Sequence, residues 1–406
     1  MVSPFSSVKA RLVKGHPTPK GPYPDTFKPV LSLAAGQEAQ AAISAWKAYA
    51  ATPLVSLDSL AAQTGVARIL YKHEAGRFGL GSFKALGGAY AVYRLLAAMI
   101  AEKTGETPEP EDILSGRYGD IVSAVTVTCA TDGNHGRSVA WGARMFGCKA
   151  VIFIHETVSE ARKAAIASYG AEVIRTRGNY DDSVREAARM AAEHGWHVVS
   201  DTSYPGYTDV PRNVMQGYSV MADEAARQLG DVKPTHIFIQ GGVGGLAAAV
   251  TAHFWETLGA EAPTVVVVEP DTAACLLESA VAGAPTAVGG DLDTIMAGLA
   301  CGEPSIIAWP ILAGGVAAFI AIPDAAAAET MRLLASGKAG ATLVGGESGV
   351  AGLAGFLTAA AHPDWRAALG LDENSVVLCF GSEGDTDPDL YTAIVGRSGR
   401  DVEASA

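Results

Sequence analysis

Aromatic residues make up only 7% of the 406 positions, and no uninterrupted apolar run approaches the ~20 residues that a bilayer span requires. A membrane-embedded role is therefore not expected. Charge is sparse as well: Asp, Glu, Lys and Arg total 18%, and the net charge is -13. No basic patch is dense enough to neutralise a run of phosphates, which argues against nucleic-acid binding. The five cysteines, Cys129, Cys148, Cys275, Cys301 and Cys379, are odd in number and never spaced as C-x-x-C. That usage fits reduced, mostly buried thiols in a cytoplasmic protein better than a disulfide framework. No second His or Cys lies at ligand spacing from His135, so no metal is expected. The opening MVSPFSSVKARLVKGHPTPKGPYPD lacks the apolar core of a secretory signal, and its Pro, Gly and Ser content reads as an extended arm.

What is present is hydrophobic bulk. At 49% apolar, much of it alanine, the chain can build two or three domains with ample cores. AVTVTCA (124–130) is short, continuous and β-branched, as a buried strand should be. A helical pattern follows from Asn134 to Phe146, then a strand KAVIFIH, a helix SEARKAAIASYG, a strand AEVIRTR, a helix YDDSVREAARMAAEHG and a strand WHVVSD. Such alternation argues for a parallel sheet covered by helices on both faces. After a turn-rich pause the pattern resumes with THIFIQ (235–240), a helix LAAAVTAHFWETL, TVVVVEP (264–270) and SVVLCF (375–380). The expected fold is α/β with two doubly wound parallel-sheet domains. Residues 1–95 and 215–406 would form the larger, and 96–214 the smaller, inserted one.

In parallel sheets, ligand-handling groups collect at the carboxyl ends of strands. Here those ends carry TCATDGNHG, VVSDTS, IQGGVGGLAAAV and LCFGSEGDTD. The glycine loop admits three readings. Gly242-Val243-Gly244-Gly245-Leu246-Ala247 fits a dinucleotide fingerprint, with Glu269 placed for a ribose. Equally, the N–H groups of Gly241, Gly242, Val243, Gly244 and Gly245 at a helix start would cup a phosphate without a basic side chain. A plain tight turn is the third reading. In DGNHG, Asp132 or Asn134 could serve only as a helix cap, although the flanking glycines also let backbone approach a ligand. Lys84 in RFGLGSFKALGGAYA (77–91) could snorkel from an apolar surface into water. Small, apolar neighbours instead favour a desolvated amine of lowered pKa, able to form a Schiff base with an aldehyde. An amine, a phosphate cup and a Ser-rich strand end suit pyridoxal 5'-phosphate, whereas a dinucleotide leaves Lys84 without a task.

Taken together, TPLVSL (52–57), RFGLGSFKALGGAYA, ATDGNHGRSVAW (130–141), NYDDSVR, VVSDTSYPGY (198–207), VMQGYSVMADEA, GGVGG, VVVVEPD, TIMAGLACGEPS (294–305), GGESGVAGL and SEGDTD resemble the diaminopropionate ammonia-lyases. These belong to the tryptophan-synthase-β-like, fold type II, pyridoxal-phosphate enzymes. The resemblance covers nearly the whole chain. It implies that Lys84 binds the cofactor covalently and later moves a proton at Cα, with Phe83 beside it. Asn134 would bond the phenolic oxygen, Gly241 to Gly245 the phosphate, and Ser382 would face the ring nitrogen. Thr131, Asp132, Gly133 and His135 would bind substrate, and Asp132 and Asp201 would move protons. Lys84 on one face of Cα and Asp132 on the other would accommodate both D- and L-substrates. The implied reaction eliminates ammonia from 2,3-diaminopropionate to give pyruvate and two ammonia molecules, in a cytoplasmic homodimer. His73, Ala75, Gly76, Ser82, Ala85 and Ser382 depart from the family pattern. They keep open a substituted diaminopropionate or a β-hydroxy amino acid as substrate. A catalytically silent cofactor-binding relative is the non-enzyme alternative.

Overall fold

The computed structural model describes residues 5–17, 21–131, 133–178 and 180–405. Among the described residues eleven strands form two sheets: β1 (Arg11–Lys14), β2 (Leu54–Ser56), β3 (Arg68–His73), β4 (Thr126–Ala130), β5 (Lys149–Ile154), β6 (Glu172–Arg175), β7 (His197–Val198), β8 (His236–Gln240), β9 (Thr264–Pro270), β10 (Val316–Ile322) and β11 (Val376–Gly381). Contacts group the chain into two compact units, one of 1–33, 51–82 and 221–406, the other of 34–50 and 83–220. The helix Lys84–Thr104, which the sequence reading split at 95, packs along its length on the helix Asn134–Phe146 and so lies wholly in the second unit.

The first unit holds the seven-stranded sheet, ordered β1-β10-β9-β8-β11-β3-β2. Its five central strands run parallel, and only the edge strands β1 and β2 are antiparallel. Composition explains the difference. β8 and β9 are nearly unbroken Val, Ile and Phe, buried on both faces, while β1 and β2 are short and partly exposed. The arm expected at the N-terminus thus includes an edge strand paired to β10. β8 and β11 are parallel neighbours, so the glycine loop after Gln240 and the turn after Gly381 leave the sheet at the same edge. The core packs the helix Ala351–Ala361 against Val266, Val268, Phe238 and Val377.

The second unit holds the four-stranded parallel sheet β6-β5-β4-β7. β4 and β7 are neighbours, and the loops beginning at Thr131 and Val199 share a carboxyl edge. WHVVSD is a shorter strand than its β-branched run suggests. Val199 still donates to the Thr128 carbonyl, but the Ser200 N–H turns to the Tyr207 hydroxyl at 3.0 Å, and that hydroxyl donates back to the Val198 carbonyl. This side-chain bracket ends the ladder and turns out Asp201.

Candidate active site

In the second unit the helix that begins at Lys84 is gripped through its glycines. A Cβ at Gly87 would lie 2.4 Å from the Tyr218 ring, and one at Gly88 only 2.0 Å from Ser138 Oγ. The Ala-Leu-Gly-Gly run therefore serves close packing as much as apolarity. The Lys84 ammonium lies 5.6 Å from the Phe83 ring centroid and 5.9 Å from that of Tyr218, near enough for cation–π attraction. It donates to Asp201 Oδ2 at 2.5 Å, with both side chains 18% exposed.

The Asp201 carboxyl feels opposed effects. Burial favours its neutral form, but the Lys84 charge outweighs burial and, helped by His135, holds it well below the usual carboxylate range. Behind it lies the buried His135 ring, with Nε2 2.7 Å from the Val199 carbonyl and Nδ1 3.7 Å from Asp201 Oδ2. Burial and the Lys84 charge lower the proton affinity of His135, against the pull of Asp201. Thr131 Oγ1 accepts from the N–H groups of both Gly133 and Gly136 at 3.0 Å, shaping the turn into the helix at Asn134. Lys84, Phe83, Thr131, Gly133, Asn134, His135 and Asp201 all fall within this unit. Asp132 lies outside the described residues, as does Asn179 of the NYDDSVR motif.

In the first unit, Gly241 to Gly244 join β8 to the 14-residue helix Gly245–Leu258. Side chains on this loop would strike the core behind it: a Cβ at Gly241 would sit 2.6 Å from Val267 Cγ1, and one at Gly244 2.8 Å from Leu312 Cδ1. Gly244 also has φ +99°, a conformation that favours glycine. With Val243 its one side chain and no charged group, the loop offers backbone N–H groups at a helix N-terminus, which suits a phosphate. Ser305 N–H ties down the Val243 carbonyl at 2.8 Å. Ser382 is buried, and its Oγ accepts from Gln240 Nε2 at 2.5 Å. Because Gln240 Nε2 also donates to the Phe380 carbonyl, the amide cannot be reversed, and the Ser382 hydrogen is left to point elsewhere. A neutral hydroxyl donor of this kind fits a pyridine nitrogen that is not protonated.

The dinucleotide reading fails at Glu269. Both its oxygens accept helix-start N–H groups, from Leu276 at 2.7 Å and Leu277 at 2.8 Å. Burial raises its carboxyl to about 8 despite those bonds, and the side chain is fully buried against the helix start, where it cannot reach a ribose. Cys275 and Cys301 are not joined in a disulfide, and Cys275 donates to the Gly242 carbonyl at 3.6 Å. Among the described residues no His, Cys, Asp and Glu cluster could hold a metal.

Sequence reasoning did not assign the roles of Tyr218 and Gln240, nor a buried ionic network in the first unit. Arg77 makes a two-pronged contact with Glu224, at 2.8 and 2.7 Å, and pairs with Glu74 at 2.8 Å. Lys72 reaches Glu224 at 2.7 Å and the Thr52 carbonyl at 2.7 Å. The network anchors the strand end and turn that lead toward Lys84. Arg77 opens RFGLGSFKALGGAYA, but its partner Glu224 is 147 residues away. Of the departures from the family pattern, Ser82 and Ala85 are buried, and Ser82 bridges to the backbone of Glu383.

Residues 45–381 match the family model described as pyridoxal-phosphate dependent enzyme. The chain is 42% identical over 353 residues to the diaminopropionate ammonia-lyase of Escherichia coli K12, covering 86% of this chain and 87% of the relative. It is also 42% identical to the enzyme of the same name from Salmonella typhimurium, over 86% of this chain and 89% of that one. The crystal structure of the Escherichia coli enzyme in complex with D-serine superposes with a TM-score of 0.87 and 38% identity, covering 96% of this chain and 97% of that one. Maize serine racemase, at 19% identity and a TM-score of 0.71, shares the fold.

Proposed function

This chain belongs to the pyridoxal-phosphate-dependent enzymes and, within them, to the diaminopropionate ammonia-lyases, and we propose that it converts 2,3-diaminopropionate and water into pyruvate and two ammonia molecules. Its cofactor is pyridoxal 5'-phosphate, and its substrate is a small amino acid. When bound, the cofactor supplies an electron sink that makes the α-hydrogen of the substrate acidic.

The chain's own residues do the rest. Gly241 to Gly245 offer N–H donors to the phosphate, Asn134 bonds the phenolic oxygen, and Ser382 donates toward the ring nitrogen. Since a hydroxyl does not keep that nitrogen protonated, the sink is weaker than one backed by a carboxylate, which favours elimination over transamination. Lys84 takes the proton from Cα on one face and Asp132 on the other, so both stereoisomers are processed. Asp201 delivers a proton to the departing β-amine, and such general acid help contributes roughly 10²–10⁴-fold. Thr131, Asp132, Gly133 and His135 receive the substrate carboxylate, His135 through its backbone N–H because both its ring nitrogens face other groups. The working form is a homodimer in the cytoplasm; no helix among the described residues is long and apolar enough to cross a membrane.

The observation that carries this reading is the Lys84–Asp201 pair, an amine and an acid held together at 2.5 Å beside two aromatic rings. Lys84→Ala should abolish both the cofactor's visible absorbance band and turnover; a fully active variant would overturn the assignment. Release of pyruvate from D- and L-diaminopropionate, N3-substituted forms and serine, and of 2-oxobutyrate from threonine, then fixes the β-substituent. Faster turnover of serine or a substituted amine would shift the assignment to the alternatives left open by Ser82 and Ala85.

A further inference from the structure

His135 carries a consequence beyond its place in the substrate turn. Its Nε2 faces the Val199 carbonyl at 2.7 Å, and a carbonyl only accepts, so Nε2 bears the hydrogen. In neutral imidazole the lone pair is then on Nδ1. That atom is buried, has no hydrogen-bond partner among the described residues, and lies 3.7 Å from Asp201 Oδ2. The same oxygen accepts from Lys84. One carboxylate oxygen is therefore flanked by a full cation on one side and a potential cation on the other.

The other titratable groups that face Asp201 are Cys129, Tyr207 and Tyr218. Burial pushes all three upward, so they remain neutral and protonated. When Lys84 reacts through its free amine, it must give up a proton and its hold on Asp201. An unpaired buried carboxylate is costly, and His135 is the nearby base able to restore the charge pair. A turn of the carboxylate would close 3.7 Å, an ion-pair separation, to hydrogen-bond length.

We propose that His135 is a positioning residue that stores the proton Lys84 releases and keeps Asp201 charged and aimed while the amine is engaged. The proton balance is closed. The Lys84 Nζ–H bond breaks, the proton passes by way of Asp201 Oδ2, and an Nδ1–H bond forms on His135. No proton enters from water. On return, the same proton is available at Asp201 for the departing β-amine. The inference rests on the reading of Lys84 as the reactive amine, and its test is an equilibrium measurement that does not depend on turnover.

That test is the pH titration of the His135 ring by nitrogen NMR in full-length protein, assigned against His135→Gln. In cofactor-free wild type the midpoint should lie below that of an ordinary histidine, because the ring is buried and the Lys84 charge offsets that of Asp201. In Lys84→Met it should rise by at least one pH unit, a tenfold gain in proton affinity, with Lys84→Arg keeping it low. Loading wild type with pyridoxal 5'-phosphate should raise it likewise. Adding Asp201→Asn to Lys84→Met should remove the rise. An unchanged midpoint in Lys84→Met, or a rise that survives Asp201→Asn, overturns the proposal. In the loaded enzyme His135→Gln, which keeps a donor for Val199 but carries no proton, should lower kcat at least tenfold, leave KM nearly unchanged and alter the pH profile of kcat. Loss of thermal stability with an unaltered profile would mark a purely structural role and overturn it.

Discussion

Glu224 accepts from three cationic nitrogens at hydrogen-bond distance, and its side chain is 1% exposed. Burial raises its carboxyl, but Arg77 and Lys72 prevail and hold it below the usual range. The four charges of Lys72, Glu74, Arg77 and Glu224 cancel, so the group survives only as a set. Removing one partner leaves an uncompensated buried cation, which costs about 3–5 kcal/mol. Glu224→Gln should therefore lower unfolding free energy by roughly 3 kcal/mol in urea titrations. Solvent-exposed ion pairs in general are worth at most about 1 kcal/mol, and a loss no larger than that for Glu224→Gln would refute the assignment. The pairing was not visible in the sequence, where Glu224 stands within VMQGYSVMADEA, 147 residues from Arg77. Lys84 was visible because its own neighbours are apolar. A buried charge shows itself locally when its surroundings are local, and stays hidden when its partners come from other elements.

At the scale of elements, two helices approach so closely that side chains are excluded. A Cβ at Gly142 would lie 2.8 Å from Ala89 Cα and 2.9 Å from Ala89 Cβ, on the helix that starts with Lys84. Those atoms are backbone or bound rigidly to it, so the helices themselves must move. Gly142→Ala should cost about 1–3 kcal/mol. Because the shift is transmitted to Lys84 and Asn134, it should also weaken cofactor retention on dialysis. Unchanged stability and cofactor content would show that the contact has slack. Most of the parallel strands were legible: KAVIFI, HIFIQ, TVVVVEP and VVLCFG are short β-branched or aromatic runs, and each is a buried strand. VAAFIAI and RILYKH escaped notice for physical reasons. Alanine dilutes the first until it could equally be helix, and the second interrupts its apolar run with the buried Lys72. The loops at strand ends were legible as a class, yet the packing reason for Gly87 and Gly88 depended on partners at Tyr218 and Ser138.

For the molecule as a whole, buried histidines and a buried carboxyl act on acid stability in opposite directions. Burial lowers His73, His135, His236 and His253, the last to about 4. A histidine whose folded pKa lies below its unfolded value stabilises fully above about 6.5, and that stability is lost as pH falls toward the folded pKa. For His253 the loss reaches about 2 kcal/mol by pH 5. Glu269, raised to about 8, has the reverse sign. Between about 4.5 and 8 the folded chain holds a proton that the unfolded chain releases, so acidification stabilises. The His253 and Glu269 effects are opposed and similar in size, so these two partly cancel between pH 5 and pH 7.5. Single variants separate them, since the general repulsion from a net charge of -13 is nearly common to each pair compared. From pH 7.5 to 5, urea unfolding of wild type should lose about 2 kcal/mol relative to His253→Gln and gain about 2–3 kcal/mol relative to Glu269→Gln. Differences that stay constant with pH for both variants would mean that neither group titrates away from its ordinary value in the folded chain.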